Sequence, residues 1–370
     1  MSGLLTPLLP FIRDDFSLSY TKAGVLVSSF TLTNGIAQLP GGWLSDHLGP
    51  HRLITIGISG VAICGLLIGF STNYVLLVLF LILMGLMGGG YHPSASPLVS
   101  STVDEKVRGR ALGIHQIGGT ASFFLAPIVA VAIARVIGWR GSFISISIPT
   151  MVYGLLFFIL LNRWEFRESR TRAAPDKKEE LDEEKGQIPY LLPVMILAVC
   201  VQIFIFSAIS FIPLYVVDRF GGSKEAAAAV LSIAHSAGLW AGPLAGYLSD
   251  RIGKVPIVLF TGIVAGPFIY LLNHVSFGVS ISIAALLLGM TQYMSMPVTE
   301  SYVISKVPEK NRSTVLGTYY FASRGGPGLL APVMGYLIDK YSFSTAFLFT
   351  GAVMGFVGVV CTVIILVSKK

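Results

Sequence analysis

A chain of 370 residues with 54% hydrophobic and only 12% charged side chains is not an ordinary soluble domain, where charged residues run near 25%. A mean hydropathy of +0.75 points the same way. The formal net charge of +7 suggests a nucleic-acid partner only if the basic residues cluster, and they follow loop alternation instead.

Residues 1–12 are apolar but too short to cross a ~30 Å hydrocarbon layer at 1.5 Å per residue. Runs long enough to do so follow at about 21–44, 53–70, 75–98, 110–137 and 141–161. Residues 162–187 then hold 15 of the 45 charged side chains, as expected of a solvated linker. Six further spans lie at 188–217, 224–247, 255–273, 277–303, 312–337 and 342–367. When loops are assigned alternately to two sides, 18 Lys and Arg fall on one side and 7 on the other. The positive-inside rule predicts a multi-pass protein of the inner cell membrane with the central loop and C-terminus cytoplasmic. Cys64, Cys200 and Cys361 stand singly in apolar runs and read as packing residues.

The chain repeats itself. Gly42-Trp43-Leu44-Ser45-Asp46-His47-Leu48-Gly49-Pro50-His51-Arg52 is echoed by Gly246-Tyr247-Leu248-Ser249-Asp250-Arg251-Ile252-Gly253-Lys254, an offset of 204 residues. The same offset lays Asp14 on Asp218, Phe16 on Phe220, Pro93 on Pro297, Arg108 on Arg312, Gly113 on Gly317 and Phe143 on Phe347. One constant offset from Asp14 to Phe143 marks an internal duplication of a membrane unit. The predicted fold is all-α and polytopic, in two six-helix halves: 1–161, the linker 162–187, and 188–370. Under this offset Met1 aligns with Ile205, inside the first helix of the second half, so helix 1 is expected to be clipped.

The paired segment resembles the loop between helices 2 and 3 of the major facilitator superfamily, roughly G-x-L-a-D-R-x-G-R-R. Gly42, Leu44, Asp46, Gly49 and Arg52 fit the first copy, and Gly246, Leu248, Asp250, Arg251, Gly253 and Lys254 the second. Gly90-Tyr91-His92-Pro93, Arg108-Gly109-Arg110 and Gly118-Gly119 look most like fosmidomycin-resistance-type and small-anion carriers. The chain departs from the family in two places. The helix-4 arginine is replaced by an apolar residue near Leu81, and the helix-5 signature G-x-x-x-G-P is echoed only by Ala126-Pro127. The resemblance implies alternating access, with the helix-2/3 loop packed on the start of helix 11. Asp46 would then face Arg312 and, by the repeat, Asp250 would face Arg108. These contacts, with Gly49, Arg52, Arg251 and Gly253, form a latch made in one state and broken in the other. The bland alternative is a polar turn in which Gly49 supplies an unusual φ.

A solute site is expected near the midplane, between the halves. Counting from span starts, Arg324 lies about 18 Å deep, Asn34 and Gln202 about 20 Å, and His235 about 16 Å. Gln292 is slightly deeper along helix 10, Tyr319 and Tyr320 on helix 11 either line the cavity or simply pack, and His115 and Gln116 lie nearer the cytoplasm. A guanidinium at mid-membrane costs at least ~2.5 kcal/mol, so Arg324 needs water, a partner or a bound anion. Asn34, Gln202 and Gln292 are as readily explained as interhelical glue. Glu300, about 34 Å along its span, is expected at the interface, which leaves no carboxylate at mid-membrane. A coupled proton would then fall to His235 or His115, or to an acid in the missing part of helix 1, unless transport is uncoupled.

The predicted function is a monomeric secondary transporter of a small solute, most plausibly an organic anion, with protons as a candidate coupling ion. The alternatives are a proton-coupled exporter of amphipathic drugs, suggested by Tyr293, Met294, Met296, Tyr319 and Phe321, and a non-transporting sensor or scaffold of the same fold. The sequence offers no nucleophile–base pair, metal-ligand set or phosphate-cradling loop, so no enzymatic activity, metal or cofactor is predicted. His47 and His51 are spaced i, i+4, but Gly49-Pro50 breaks any helix between them.

Overall fold

A computed structural model describes residues 3–103, 105–168, 191–307 and 309–367, with the side chains at 46, 92, 96, 97, 100, 101, 105–110, 112, 113, 161–168 and 309–314 left aside. The described residues are helical throughout, without strands. Lipid offers no hydrogen-bond partners, so an apolar chain can cross it only with its backbone groups satisfied within each segment.

Twelve helical rods result. The first half holds α1 (Leu5–Phe16), α2 (Tyr20–Leu48), α3 (Pro50–Gly69) and a bent α4 (Tyr74–Gly89 continued as Tyr91–Thr102). The long segment Glu105–Glu168 is two helices, α5 (105–136) and α6 (139–168), separated by non-helical Ile137 and Gly138 (φ 75°). The second half holds α7 (Leu191–Phe220), α8 (Lys224–Ser236, a 3-10 turn Ala237–Leu239, then Ala241–Ile252), α9 (Lys254–Leu271), α10 (Val279–Lys306), α11 (Glu309–Lys340) and α12 (Phe343–Val367).

The duplication is visible in local chemistry. Ser19 and Ser223, one repeat apart, cap α2 and α8 by accepting from the backbone N–H of Lys22 and Ala226, the usual service of an N-cap hydroxyl. Gly49 (φ 83°) and Gly253 (φ 92°) turn the chain between α2 and α3 and between α8 and α9, a region that L side chains avoid. Two spans expected to be continuous are bent. Pro93 and Pro243 lack the N–H that would bond the carbonyls of Gly89 and Leu239, and the rods α4 and α8 break at those carbonyls.

The halves meet along α2 against α11 and α5 against α8. The α2–α11 crossing is built from small residues. A Cβ at Gly24 would stand 2.5 Å from the Ala331 carbonyl oxygen, one at Gly35 2.5 Å from the Gly325 Cα, and one at Gly335 2.3 Å from the Tyr20 carbonyl oxygen. Gly238 of α8 fits similarly against Thr120 of α5 and the Tyr293 ring, at 3.0 Å. These contacts run from the end carrying Asp14 to about halfway along the rods. Beyond that level, Gly42 of α2, Gly118 of α5, Gly246 of α8 and Gly317 of α11 have nothing within 4 Å of a Cβ position among the described residues. By these glycine contacts the seam is tight at the Asp14 end and looser toward the end carrying the two hinge glycines, the parted end.

Gly24→Val should therefore destabilise the fold by about 1–3 kcal/mol through overpacking at the α2–α11 crossing, read as a lower melting temperature in detergent. Gly118→Ala, on a helix with free space, should leave it unchanged or raise it.

Candidate functional site

The closed end is joined by two sets of contacts related by the repeat. Asp14 of α1 pairs with Lys224 at the start of α8 (2.6 Å). Its equivalent, Asp218 of α7, accepts from the hydroxyl of Tyr20 at the start of α2 (2.8 Å) and is bridged by Arg13. Tyr20 and Lys224 are themselves one repeat apart. In the second set, Asp339 of α11 accepts from the backbone N–H groups of Tyr20 (2.8 Å) and Thr21 (2.7 Å). Its equivalent Arg135 of α5 instead meets Glu225 at 3.6 Å, in solvent. A carboxylate from the other half thus sits on the positive N-terminus of α2. Both Asp14 and Asp339 lie past the apolar part of their helices. Desolvation works against their ionisation, but Lys224 and Arg13 outweigh it for Asp14, and the Thr21 and Tyr20 donors for Asp339, so both carboxyls are held below their ordinary range.

Halfway along the rods, α10 and α11 run antiparallel and set pairs of side chains level with each other. Arg324 lies against Met296, with Nη2 3.9 Å from Sδ. One turn toward the parted end, Tyr320 lies beside Glu300. Among the described residues no carboxylate comes within 4 Å of the Arg324 guanidinium. Gly325, the next residue, is the one that meets Gly35 of α2. Arg324 therefore neighbours the α2–α11 crossing, at the level where the parted region begins.

The other expected midplane residues divide by what they touch. Gln202 of α7 donates to the Gln292 carbonyl oxygen of α10 (2.9 Å), and Asn34 of α2 donates to the Gly85 carbonyl oxygen of α4 (3.3 Å). These amides tie helices within one half. His235 of α8 is buried, with Nδ1 3.0 Å from the Tyr293 hydroxyl and its ring 5.6 Å from that of Phe123 on α5. Tyr319 is fully buried, its ring 5.8 Å from that of Tyr320. His115 stacks on Tyr91 (6.0 Å) and Gln116 is exposed, both on the parted stretch of α5. The Gln292 Oε1 and Ser295 Oγ atoms are buried without a hydrogen-bond partner among the described residues, on the α10 face that carries Met296.

Glu300 corrects the expectation of an interfacial carboxylate. Its Oε1 atom is buried, and its neighbours are Tyr320, Tyr319 and Arg324. Depth counted along α10 alone places it near the end of the rod, but α11 rises beside it and encloses it. Sequence reasoning also missed the closed-end pairs, although Asp14 and Asp218 were already in register.

At the parted end, Gly49 and Gly253 have the unusual φ that the bland reading of the hinge requires. Arg52 and Asp250 are exposed, and the Arg251 guanidinium lies 4.5 Å from the Tyr247 ring centroid. Lys254 donates to the Ser301 carbonyl oxygen (3.0 Å), tying the second hinge to α10. Asp46, Arg108 and Arg312 lie outside the described side chains. A groove of about 530 Å³ on the outer flank, between α8 and α10, is lined by Val230, Ile233, Phe277, Ile283 and Leu286. Its apolar lining suits a lipid chain rather than a polar solute.

The family model described as Major Facilitator Superfamily matches residues 1–323 and 194–370. The chain is 25% identical to the cis,cis-muconate transport protein of Acinetobacter baylyi, over 96% of this chain and 88% of that one. It is 25% identical to the probable sulfoacetate transporter SauU of Cupriavidus necator (94% and 85% covered), and 27% to the multidrug resistance protein MdtG of Proteus mirabilis (96% and 89%). Among solved structures, a POT family transporter in complex with 5-aminolevulinic acid superposes with a TM-score of 0.82 at 14% identity, covering 100% of this chain and 93% of that one. A bacterial homologue of the lysosomal transporter Spinster, inward-facing and occupied, gives 0.74 at 16%, covering 100% and 94%.

The two depressed carboxyls set a pH dependence. Their stabilisation is full above the unfolded carboxylate pKa, about 4, and is lost as pH falls below it toward their lowered folded values. Melting temperature should thus drop on acidification from pH 5 to 3 (roughly the unfolded carboxylate range). Asp339→Ala should cost about 0.5–2 kcal/mol at pH 7, the range of a lost N-cap, and should flatten the acid limb.

Proposed function

The chain belongs to the major facilitator superfamily, and on that premise we propose that it carries a small organic anion across the inner cell membrane. The observation that carries this reading is Arg324. It neighbours the α2–α11 crossing, at the level where the parted region begins, with a thioether as its guanidinium's polar contact and no carboxylate within 4 Å among the described residues. A partly buried cation with so few partners is stabilised by a bound carboxylate or sulfonate, which its planar fork of donors can grip at two points. That two relatives are named for transport of muconate and sulfoacetate agrees with such a ligand.

In this reading the two halves, 1–161 and 188–370, rock about the Arg324 level, joined by a cytoplasmic linker at 162–187, in a monomer. With the parted end cytoplasmic, as the charge bias of the loops requires, the site faces the cytoplasm. The latch pairs Asp46 with Arg312 and Asp250 with Arg108 when that end closes. The exposure of Asp250 fits a latch that is undone while the end is open. His235, held by Tyr293 and Phe123, takes a packing role, and Gln202 and Asn34 serve as interhelical ties. Gln292 and Tyr320 border the solute, Tyr319 packs behind them, and His115 and Gln116 line its path from the open end.

One observation favours a second reading. The MdtG relative is named for drug resistance, and Tyr293, Tyr320 and Met296 beside Arg324 would suit an amphipathic solute.

A thermal-shift measurement on the purified chain with cis,cis-muconate, sulfoacetate, glucose and tetraphenylphosphonium separates these. A ligand at 100 times its Kd adds about 2.7 kcal/mol. The anions should stabilise, and Arg324→Ala should weaken their binding about 10–100-fold, the loss of a charge-assisted hydrogen-bond pair; Arg324→Lys should fall between. Stabilisation by the phosphonium cation alone, unaltered in Arg324→Ala, would select the exporter.

A further inference from the structure

The two seams at the Asp14 end are tied unequally. At the α2–α11 seam, Asp339 accepts from two backbone N–H groups at the start of α2. Its repeat equivalent at the α5–α8 seam, Arg135, is a cation facing the first turn of α8, where the helix dipole favours an anion. Lys224, at the same helix start, is taken by Asp14. Glu225 meets Arg135 only at 3.6 Å, and the Arg135 side chain stays 73% exposed.

Glu225 adjoins Ala226, and Ala226 stands at the mouth of the groove of about 530 Å³ between α8 and α10. Val230 and Ile233 of α8 and Val279, Ile283 and Leu286 of α10 carry the groove inward. Over those seven-residue steps each helix covers about 10 Å, roughly two-thirds of one leaflet of a ~30 Å hydrocarbon core. The hydroxyl in the lining, on Ser282, already donates to the Gly278 carbonyl oxygen (2.9 Å). An apolar slot that ends at an under-used cation fits a molecule with a long apolar chain and a phosphate at its top.

The geometry points to a phospholipid site that bridges the two halves. One acyl chain lies in the α8–α10 groove of the second half, and the phosphodiester lies on Arg135 of the first half, at the N-terminus of α8. The occupant is phosphatidylethanolamine of the leaflet at the Asp14 end. Arg135 and Glu225 present one charge of each sign at the mouth, and a zwitterionic head carries the complementary two, phosphate to Arg135 and ammonium to Glu225. The bound lipid ties α5 to α8 at the place where, in the other seam, Asp339 ties α11 to α2.

Native mass spectrometry of the purified, delipidated full chain, titrated with dioleoylphosphatidylethanolamine, tests this. One lipid should bind saturably. Arg135→Gln should weaken it about fivefold, the worth of an exposed ion pair, and Ile283→Trp, which fills the groove, should remove it. Both substitutions alter exposed side chains, and an unchanged melting temperature in detergent checks that the variants fold. Dioleoylglycerol, with the same chains and no phosphate, should bind the wild type as weakly as the phospholipid binds Arg135→Gln. Non-saturable adducts alone on the wild type, full affinity in either variant, or dioleoylglycerol binding as tightly as the phospholipid overturns the site. Tighter binding of dioleoylphosphatidylglycerol overturns the zwitterionic occupant, because its head offers Glu225 no cation. None of these outcomes bears on the anion reading of Arg324.

Discussion

The Arg324 guanidinium lies partly buried halfway along an apolar bundle, and its surroundings can be read from that. A cation in lipid-depth protein has to be hydrated, paired or bound to a ligand. Met296 supplies polarisable contact but no charge, and Glu300 stands one turn away rather than against it. The region from Arg324 toward the hinge end is also where the seam between the halves ceases to be tightly packed. On the proposed reading, a site that is charged and under-partnered calls for cargo of charge opposite in sign to the arginine.

The same seam shows how a duplicated chain makes a one-sided closure. The repeat supplies equivalent positions at the start of α2 and α8 and at the ends of α1, α7, α5 and α11. Both copies keep the aspartate at Asp14 and Asp218, and differ at the equivalent positions Tyr20 and Lys224, and Asp339 and Arg135. Each half presents what the other lacks, so Asp14 finds Lys224, Asp218 finds Tyr20 and Arg13, and Asp339 finds the N-terminus of α2. Small residues on α2 and α11 bring the backbones close enough for these contacts to form. Such contacts sit in water at the mouth of the bundle, where each is worth little alone. A set of that strength can hold one state and still let it go.

Much was legible before any tertiary contact was known. Span lengths, the 204-residue offset, the paired hinge and the charge bias follow from backbone economics in lipid and from repetition, both of which act along the chain. They determined an all-α fold in two halves, and the structural and family comparisons agree. The serine caps, the hinge glycines and the break in α8 before Pro243 are likewise local events with local causes.

What only the tertiary structure decided is which side chains meet. Depth along one helix set Glu300 at the interface, because depth carries no information about the neighbour that rises beside it. Gln202, Asn34 and His235 were grouped by depth, yet packing turns them toward other helices. The partners that Asp218 and Asp339 find in the other half are 198 to 319 residues away in sequence. One sequence therefore determines that this chain spans and repeats, since periodicity and hydropathy are summed along the backbone. Charge pairing across the seam is set by rotation and register between rods, and those are settled only when the halves pack.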